Sequence, residues 1–225
     1  MTYILHLETT TKVCSVALSK DAKIVALKEL QEEGYSHGEN LTLFIQDIVS
    51  EAGIEMRDLD AVSVASGPGS YTGLRIGAST AKGLCYALQI PLIAIDSLTG
   101  LIEQAREVHD GVNLCAVIDA RRMEVYNLLV DSNGNKLKEI SADIIDSESY
   151  KEWEPFVYFG DGAEKLAALW KERNCKIEAS ILSSAKGQVQ ISYQKFQNRE
   201  FEDVAYWEPF YLKDFIVGKK KIESP

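Results

Sequence analysis

The sequence predicts an α/β protein built as two similar lobes in tandem, and three observations carry that prediction. The first thirty residues fall into three successive strand-like runs joined by short polar turns, which read as an antiparallel meander. Behind them, helical periodicity alternates with short apolar strands, the pattern of a sheet extended by parallel strands through helical crossovers. The opening order of three strands then recurs from Leu114 onward, an internal repeat.

Taken in order, the meander strands are expected at Thr2 to Leu7, Val13 to Ser19 and Ile24 to Leu30, with a turn at Lys20-Asp21. A helix follows, with Ser36 as N-cap and Glu39 completing a capping box. Leu41, Phe44, Ile45, Ile48, Val49 and Ala52 share one face of it, and Gly53 stops it. The strand Ala61 to Ala65 leads into Ser66-Gly67-Pro68-Gly69-Ser70, a tight turn that launches a helix running to about Leu88. Ser70 and Thr72 are both suitable caps for that helix. Pro91 announces a buried strand, Leu92 to Ile95, and Ser97 is read as the cap of a helix towards Val108.

The repeat supplies strands at Leu114 to Asp119, Val125 to Val130 and Lys136 to Ile144, with a turn at Asn133-Gly134. A short strand, Phe156 to Phe159, runs into Gly160-Asp161-Gly162-Ala163, and a helix is expected from about Ala163 to Lys171. Ser183 to Arg199 also reads as a helix, although Gly187 and the alternation of Val189, Ile191 and Tyr193 weaken that reading. The chain closes with an aromatic extended segment, Trp207 to Asp214, and a tail carrying Lys219, Lys220 and Lys221.

One meander extended by βαβ units is the order of a ribonuclease H-like lobe. Two tandem βββαβα lobes facing each other across a cleft describe the actin-like ATPase (ASKHA) architecture. Residues 1–100 are assigned to the N-terminal lobe and 101–225 to a smaller C-terminal lobe with its tail.

Composition narrows the function classes. At 225 residues, 46% hydrophobic, the chain can bury one sizeable core or two small ones. A formal net charge of -10 argues against holding nucleic acid unaided and favours a basic partner. Cys14, Cys85, Cys115 and Cys175 form no C-x-x-C pair and read as buried thiols. No signal core or membrane-length apolar run is visible, so the expected location is the cytoplasm.

The glycine turn invites a phosphate-loop reading, which its spacing does not support. A P-loop requires G-x-x-x-x-G-K-[ST], and a dinucleotide loop requires G-x-G-x-x-G, whose final position Thr72 occupies. Gly73, Gly77 and Ala81 instead recur every fourth residue and leave one helix face nearly bare. Glycine in a helix costs roughly 1 kcal/mol relative to alanine, so either the core or a partner must compensate. Tyr71 and Arg75 beside that stripe are residue types frequent in interface hot spots; a core ring and an exposed charge are the plainer alternatives.

Glu8 and Asp119 end the first strand of each lobe, where actin-like ATPases place the acids that organise metal and phosphates. The loop Thr9-Thr10-Thr11-Lys12 lacks the aspartate and glycine of an active phosphate motif, though its hydroxyls and Lys12 suit an anion. Asp161 lies where such ATPases contact adenosine, and a helix-entry turn is the plainer alternative. Arg121 and Arg122 could reach an acidic ligand across the cleft or could simply be solvated. His6, His37 and His109 are too widely spaced for a histidine-pair metal site, so no metal is expected.

The sequence closely resembles the TsaB (YeaZ) family. The resemblance rests on Ile4-Leu5-His6-Leu7-Glu8-Thr9, the strand Cys14 to Leu18, the run Gly67 to Gly77, Asp119-Ala120-Arg121-Arg122 with Glu124-Val125-Tyr126, and Glu208-Pro209 with Tyr211-Leu212. It implies an inactive relative of the catalytic subunit TsaD, required for N6-threonylcarbamoyladenosine (t6A) modification of tRNA, with a TsaE-like ATPase as third partner. The family's pairing helices map onto Ser36 to Ala52 and Thr72 to Leu88. The interface expected here is therefore His37, Glu39, Gly69, Ser70, Tyr71, Thr72, Gly73, Arg75, Gly77 and Ala81, used for a homodimer when the partner is absent.

Glu8, Thr9, Thr10, Lys12, Asp119, Arg121 and Asp161 would then be a vestigial nucleotide cleft. No catalytic residue and no intrinsic cofactor are expected, beyond ATP or ADP held weakly or at a shared interface, and tRNA is met through the complex. The alternative is a small actin-like ATPase or kinase acting alone through Glu8 and Asp119.

Overall fold

The computed structural model describes residues 1–31 and 37–213, with only the backbone at His37. The capping box of Ser36 and the tail lysines therefore lie outside the described residues. The first sheet holds β1 (Tyr3–Glu8), β2 (Val13–Lys20), β3 (Lys23–Gln31), β4 (Ala61–Ala65) and β5 (Leu92–Ile95) in the order β3-β2-β1-β4-β5. β1 pairs antiparallel with β2 from Tyr3↔Lys20 to Glu8↔Ser15 and parallel with β4 from Ile4↔Ala61 to Leu7↔Val64. The β2–β3 turn lies at Asp21 and Ala22, both with positive φ (47° and 61°), the geometry of a primed hairpin turn.

Alternation along β1 decides what each face meets. Leu5 and Leu7 point towards α1 (His37–Glu51) and α2 (Tyr71–Leu88), packing with Leu41, Ile45, Ile48, Ala81 and Cys85. Ile4 points the other way, with Ala61, Ile93 and Ile95, against Ile191, Tyr193 and Phe196 of a later helix.

The second sheet repeats this strand plan as β10-β9-β6-β7-β8, from β6 (Asn113–Asp119), β7 (Glu124–Val130), β8 (Lys136–Ile144), β9 (Phe156–Phe159) and β10 (Cys175–Glu178). Its helices do not repeat: a 3-10 turn, Lys151–Trp153, stands between β8 and β9, and α4 (Glu164–Ala167) is a single turn. One face packs Trp170 against Phe156 and Tyr158, with ring centroids 5.7 and 5.0 Å apart.

The chain exchanges helices between the sheets. α3 (Ser97–Arg106) follows β5 yet packs Leu98, Leu101, Ile102 and Ala105 on the second sheet, straddling residue 100. α5 (Val189–Asn198) follows β10 and returns to the first sheet. Where they meet, Gly100 and Gly187 stand back to back, and a Cβ on Gly187 would overlap the Gly100 carbonyl. Gly187 is thus a close-approach residue at a 3-10 turn, Ala185–Gln188, leading into α5.

The layer beneath α5 is polar but satisfied. Gln188 donates Nε2 to Leu7 O (2.9 Å) and accepts from Ser63 Oγ (2.7 Å), while Ala185 N donates to Ser15 Oγ (2.9 Å). His6 meets Ser19 and Ser192 there, and burial pushes its imidazole down to about 3, so it is neutral at physiological pH.

Several boundaries differ from expectation. Asp96, not Ser97, caps α3: its Oδ1 accepts from Thr99 N at 2.7 Å, and the helix ends at Arg106. The helix expected to Lys171 stops at Ala167 and continues as turns. β10 has no counterpart in the sequence reading, because Cys-Lys-Ile-Glu is short and half charged, as an exposed edge strand can be.

Candidate functional site

The turn after β4 behaves as its sequence implies: Ser70 is the N-cap of α2, its Oγ accepting from Gly73 N at 3.3 Å. The bare stripe, however, faces inward, which corrects its assignment as a partner surface. Gly73 and Gly77 are buried against the loop after β1, and Thr9 Oγ1 donates to Gly73 O at 2.8 Å. A Cβ on Gly73 would overlap the Thr9 carbonyl, and one on Gly77 would lie 2.5 Å from Thr9 Oγ1. A Cβ on Gly69 would likewise strike the Thr10 carbonyl, which accepts from Ser70 N at 2.7 Å. Ala81 is in the core. The chain's own loop, not a second protein, compensates these small residues.

The outward face of the two helices is different. Leu43 on α1 is 56% exposed and Tyr86 on α2 is 75% exposed, and the space beside Gly83 is open. Glu39, Thr72 and Arg75 are also exposed, with Arg75 lying 4.2 Å over the Tyr71 ring. The His37 side chain lies outside the described residues.

Between the sheets lies a cleft of about 650 Å³. It gathers Thr10, Lys12, Asp119, Arg121 and Asp161 of the expected set, together with Arg122 and Tyr126. Gly69, Ser70, Tyr71 and Thr72, expected at the partner interface, also line it, as does the segment Phe210 to Lys213, which no local motif connects with the cleft. That segment straps the two lobes together. Lys82 of α2 donates to Ala205 O and Trp207 O, Phe210 N donates to Ser66 O (2.7 Å), and Tyr211 sits 5.2 Å from Tyr71. At its far end Leu212 packs on the second sheet and Lys213 pairs with Glu124.

Most of the cleft's acids are already engaged. Glu8 is buried behind the loop, accepting from Thr10 N (2.7 Å) and Thr10 Oγ1 (2.6 Å). Asp119 pairs with Lys165 and accepts from Arg121 N, while Asp161 accepts from Asp119 N at 3.0 Å. Burial pushes the Glu8 carboxyl up to about 7, against the Thr10 hydrogen bonds and with help from Asp161. Burial likewise raises Asp161 to about 6. Among the described residues no three His, Cys, Asp or Glu side chains converge on a metal-sized site.

These shifts have a sign for stability. Between the ordinary values of 4.5 and 3.8 and the raised ones, the folded chain binds more protons than the unfolded chain. The stability these two carboxyls contribute is therefore lost as pH rises through that window and is gone well above 7, while neutral His6 contributes in the opposite sense, rising up to about 6.5. Thermal unfolding between pH 5 and 8 should show Tm declining most clearly above about 6.5, where the His6 contribution has run its course. Glu8→Gln, a neutral near-isostere, should flatten the decline, and an unchanged slope in the variant would exclude Glu8 as its source.

The TsaD family, described as tRNA N6-adenosine threonylcarbamoyltransferase, matches residues 32–212. The Escherichia coli (strain K12) protein named tRNA threonylcarbamoyladenosine biosynthesis protein TsaB is 30% identical over 226 residues, covering 96% of this chain and 97% of that one. Among solved structures, YeaZ from Pseudomonas aeruginosa superposes with a TM-score of 0.80 at 25% identity, over 94% of this chain and 100% of that one. The activator of the 2-hydroxyisocaproyl-CoA dehydratase from Clostridium difficile, solved with ADPNP, shares the fold alone, with a TM-score of 0.55 at 12% identity over 90% of this chain and 99% of that one. An actin-like fold aligned almost end to end with a TsaB protein settles the relationship: the chain belongs to the TsaB (YeaZ) family.

Proposed function

We propose that this chain is a non-catalytic subunit in tRNA threonylcarbamoyladenosine biosynthesis, organising a TsaD-like catalytic partner through the outer face of α1 and α2. Membership of the TsaB family supports the pathway. The observation that carries the docking role is the exposure of Leu43 on α1 and of Tyr86 on α2, the latter one turn from the open Gly83. Large exposed apolar side chains flanking a small residue suit the close approach of another helix. The same patch, self-complementary across a two-fold axis, would form a homodimer when the partner is absent.

The non-catalytic reading is supported by the cleft. Glu8 is tied to Thr10 and Asp119 to Lys165, so the two acids that an ATPase would use are occupied within the chain. In this reading the chain needs no cofactor of its own, any adenine nucleotide sits at a shared interface, and a TsaE-like ATPase joins as third component in the cytoplasm.

The test is reconstitution of tRNA threonylcarbamoylation from TsaD-like and TsaE-like proteins with and without this chain. Modification should depend on its presence; full activity in its absence would overturn the proposal. Steady magnesium-ATP turnover by the isolated chain would favour an ATPase or kinase instead.

A further inference from the structure

We infer that the interlobe cleft binds a single-stranded stretch of RNA, with phosphates against Lys12, Arg121 and Arg122 and a base stacked on Tyr211. The inference rests on the tRNA reading above and goes beyond it by giving this chain a direct contact with the substrate RNA.

The charges carry the first part. The chain is acidic overall, at -10, yet cations from both lobes converge on this one cleft. Lys165 and Lys213 are consumed by Asp119 and Glu124. Among the described residues, no salt bridge or side-chain hydrogen bond engages Lys12, Arg121 or Arg122, although Lys12 is near enough to Asp161 to favour its charged form. Lys12 comes from the loop after β1, while the two arginines form the β6–β7 hairpin tip. Both arginines are exposed and held at positive φ, 70° and 51°, a conformation uncommon for residues other than glycine. Two arginines without a carboxylate partner among the described residues, with Lys12 in the lining of the same cleft, are a place for anions.

The aromatic wall carries the second part. Phe210 and Tyr211 are 46% and 37% exposed on a strap fixed at both ends, and Tyr211 is backed by Tyr71. A backed, half-open ring beside exposed cations matches the combination by which proteins hold single-stranded nucleic acid, stacking for bases and a positive groove for the backbone.

The acids of the cleft bear on the kind of nucleotide. Asp119 and Asp161 line the same cleft as the arginines, so a densely charged free polyphosphate filling it would meet carboxylates as well as cations. Phosphodiesters carry one charge per residue, which the exposed Arg121, Arg122 and Lys12 can meet singly.

The experiment is fluorescence anisotropy of unmodified, 3′-labelled tRNA titrated with this chain at low and moderate salt. The wild type should bind at low salt and weaken steeply as salt rises. Arg121→Glu/Arg122→Glu, or Lys12→Glu, should weaken binding about tenfold or more and reduce the salt slope. Tyr211→Ala should weaken it about fivefold with the slope unchanged. Circular dichroism and Tm matching the wild type establish that the variants fold. No binding by the wild type at low salt, equal binding by wild type and the double arginine variant, or displacement of tRNA by AMP or ATP would each overturn the inference.

Measuring t6A in cells lacking the chain separates the two readings. If t6A persists without the chain, the pathway reading fails whatever the binding shows. If t6A is lost and the double arginine variant restores it fully, only the cleft inference fails.

Discussion

Gly73→Ala should melt well below the wild type, with a stability loss of about 3 kcal/mol, the upper end of overpacking penalties. For a chain of this size that corresponds to a Tm drop of roughly 6–12 °C. The added methyl would enter the space of the Thr9 carbonyl, a backbone atom rather than the end of a flexible side chain. The loop cannot easily retreat. Thr9 Oγ1 is bonded to Gly73 O, and the neighbouring Thr10 carbonyl accepts from Ser70 N. Gly83→Ala on the same helix is the matched control: nothing lies within 4 Å of its Cβ position. It should gain about 0.5–1 kcal/mol, the ordinary benefit of removing glycine from a helix. Thermal unfolding followed by circular dichroism distinguishes the pair. Equal melting of Gly73→Ala and wild type would mean that α2 does not rest on the β1 loop.

Leu43→Asp/Tyr86→Asp should abolish capture of a TsaD-like partner while leaving Tm almost unchanged. Buried hot-spot residues cost about 2 kcal/mol or more each when removed, and a combined loss near 3–4 kcal/mol exceeds a hundredfold in Kd. Stability should be spared, because both side chains are largely exposed and such surface substitutions stay within about 0.5 kcal/mol. Titration calorimetry against the partner gives the affinity, and sedimentation of the free chain reports any homodimer made by the same patch. Undiminished capture by a folded double variant would move the partner surface off these helices.

The two predictions set the buried side of α2 against the exposed sides of α1 and α2, and that contrast marks the boundary between sequence and tertiary information. Local order was legible: alternation located the meander, and Phe156–Phe159 emerged as a strand with the bounds foreseen. Ser70 capped its helix because a short polar side chain after a tight turn satisfies an otherwise free N–H. The two-sheet plan was legible as well, since a meander followed by crossovers admits few arrangements.

Direction was not legible. The four-residue spacing of Gly73, Gly77 and Ala81 shows that they share a face, but nothing in that spacing says whether the face meets solvent or Thr9, 64 residues away. The same holds for the cleft. Lys12, Arg121 and Asp161 were foreseen, whereas Phe210, Tyr211 and Lys213 joined them only because the chain's end straps both lobes. By itself the sequence determined most of the segments that form helices and strands, the short edge strand β10 and the end of α4 excepted, and which residues share a side, through forces acting over a few residues. The tertiary structure alone decided which sides are buried and which distant side chains meet, because those contacts depend on how whole sheets and helices pack.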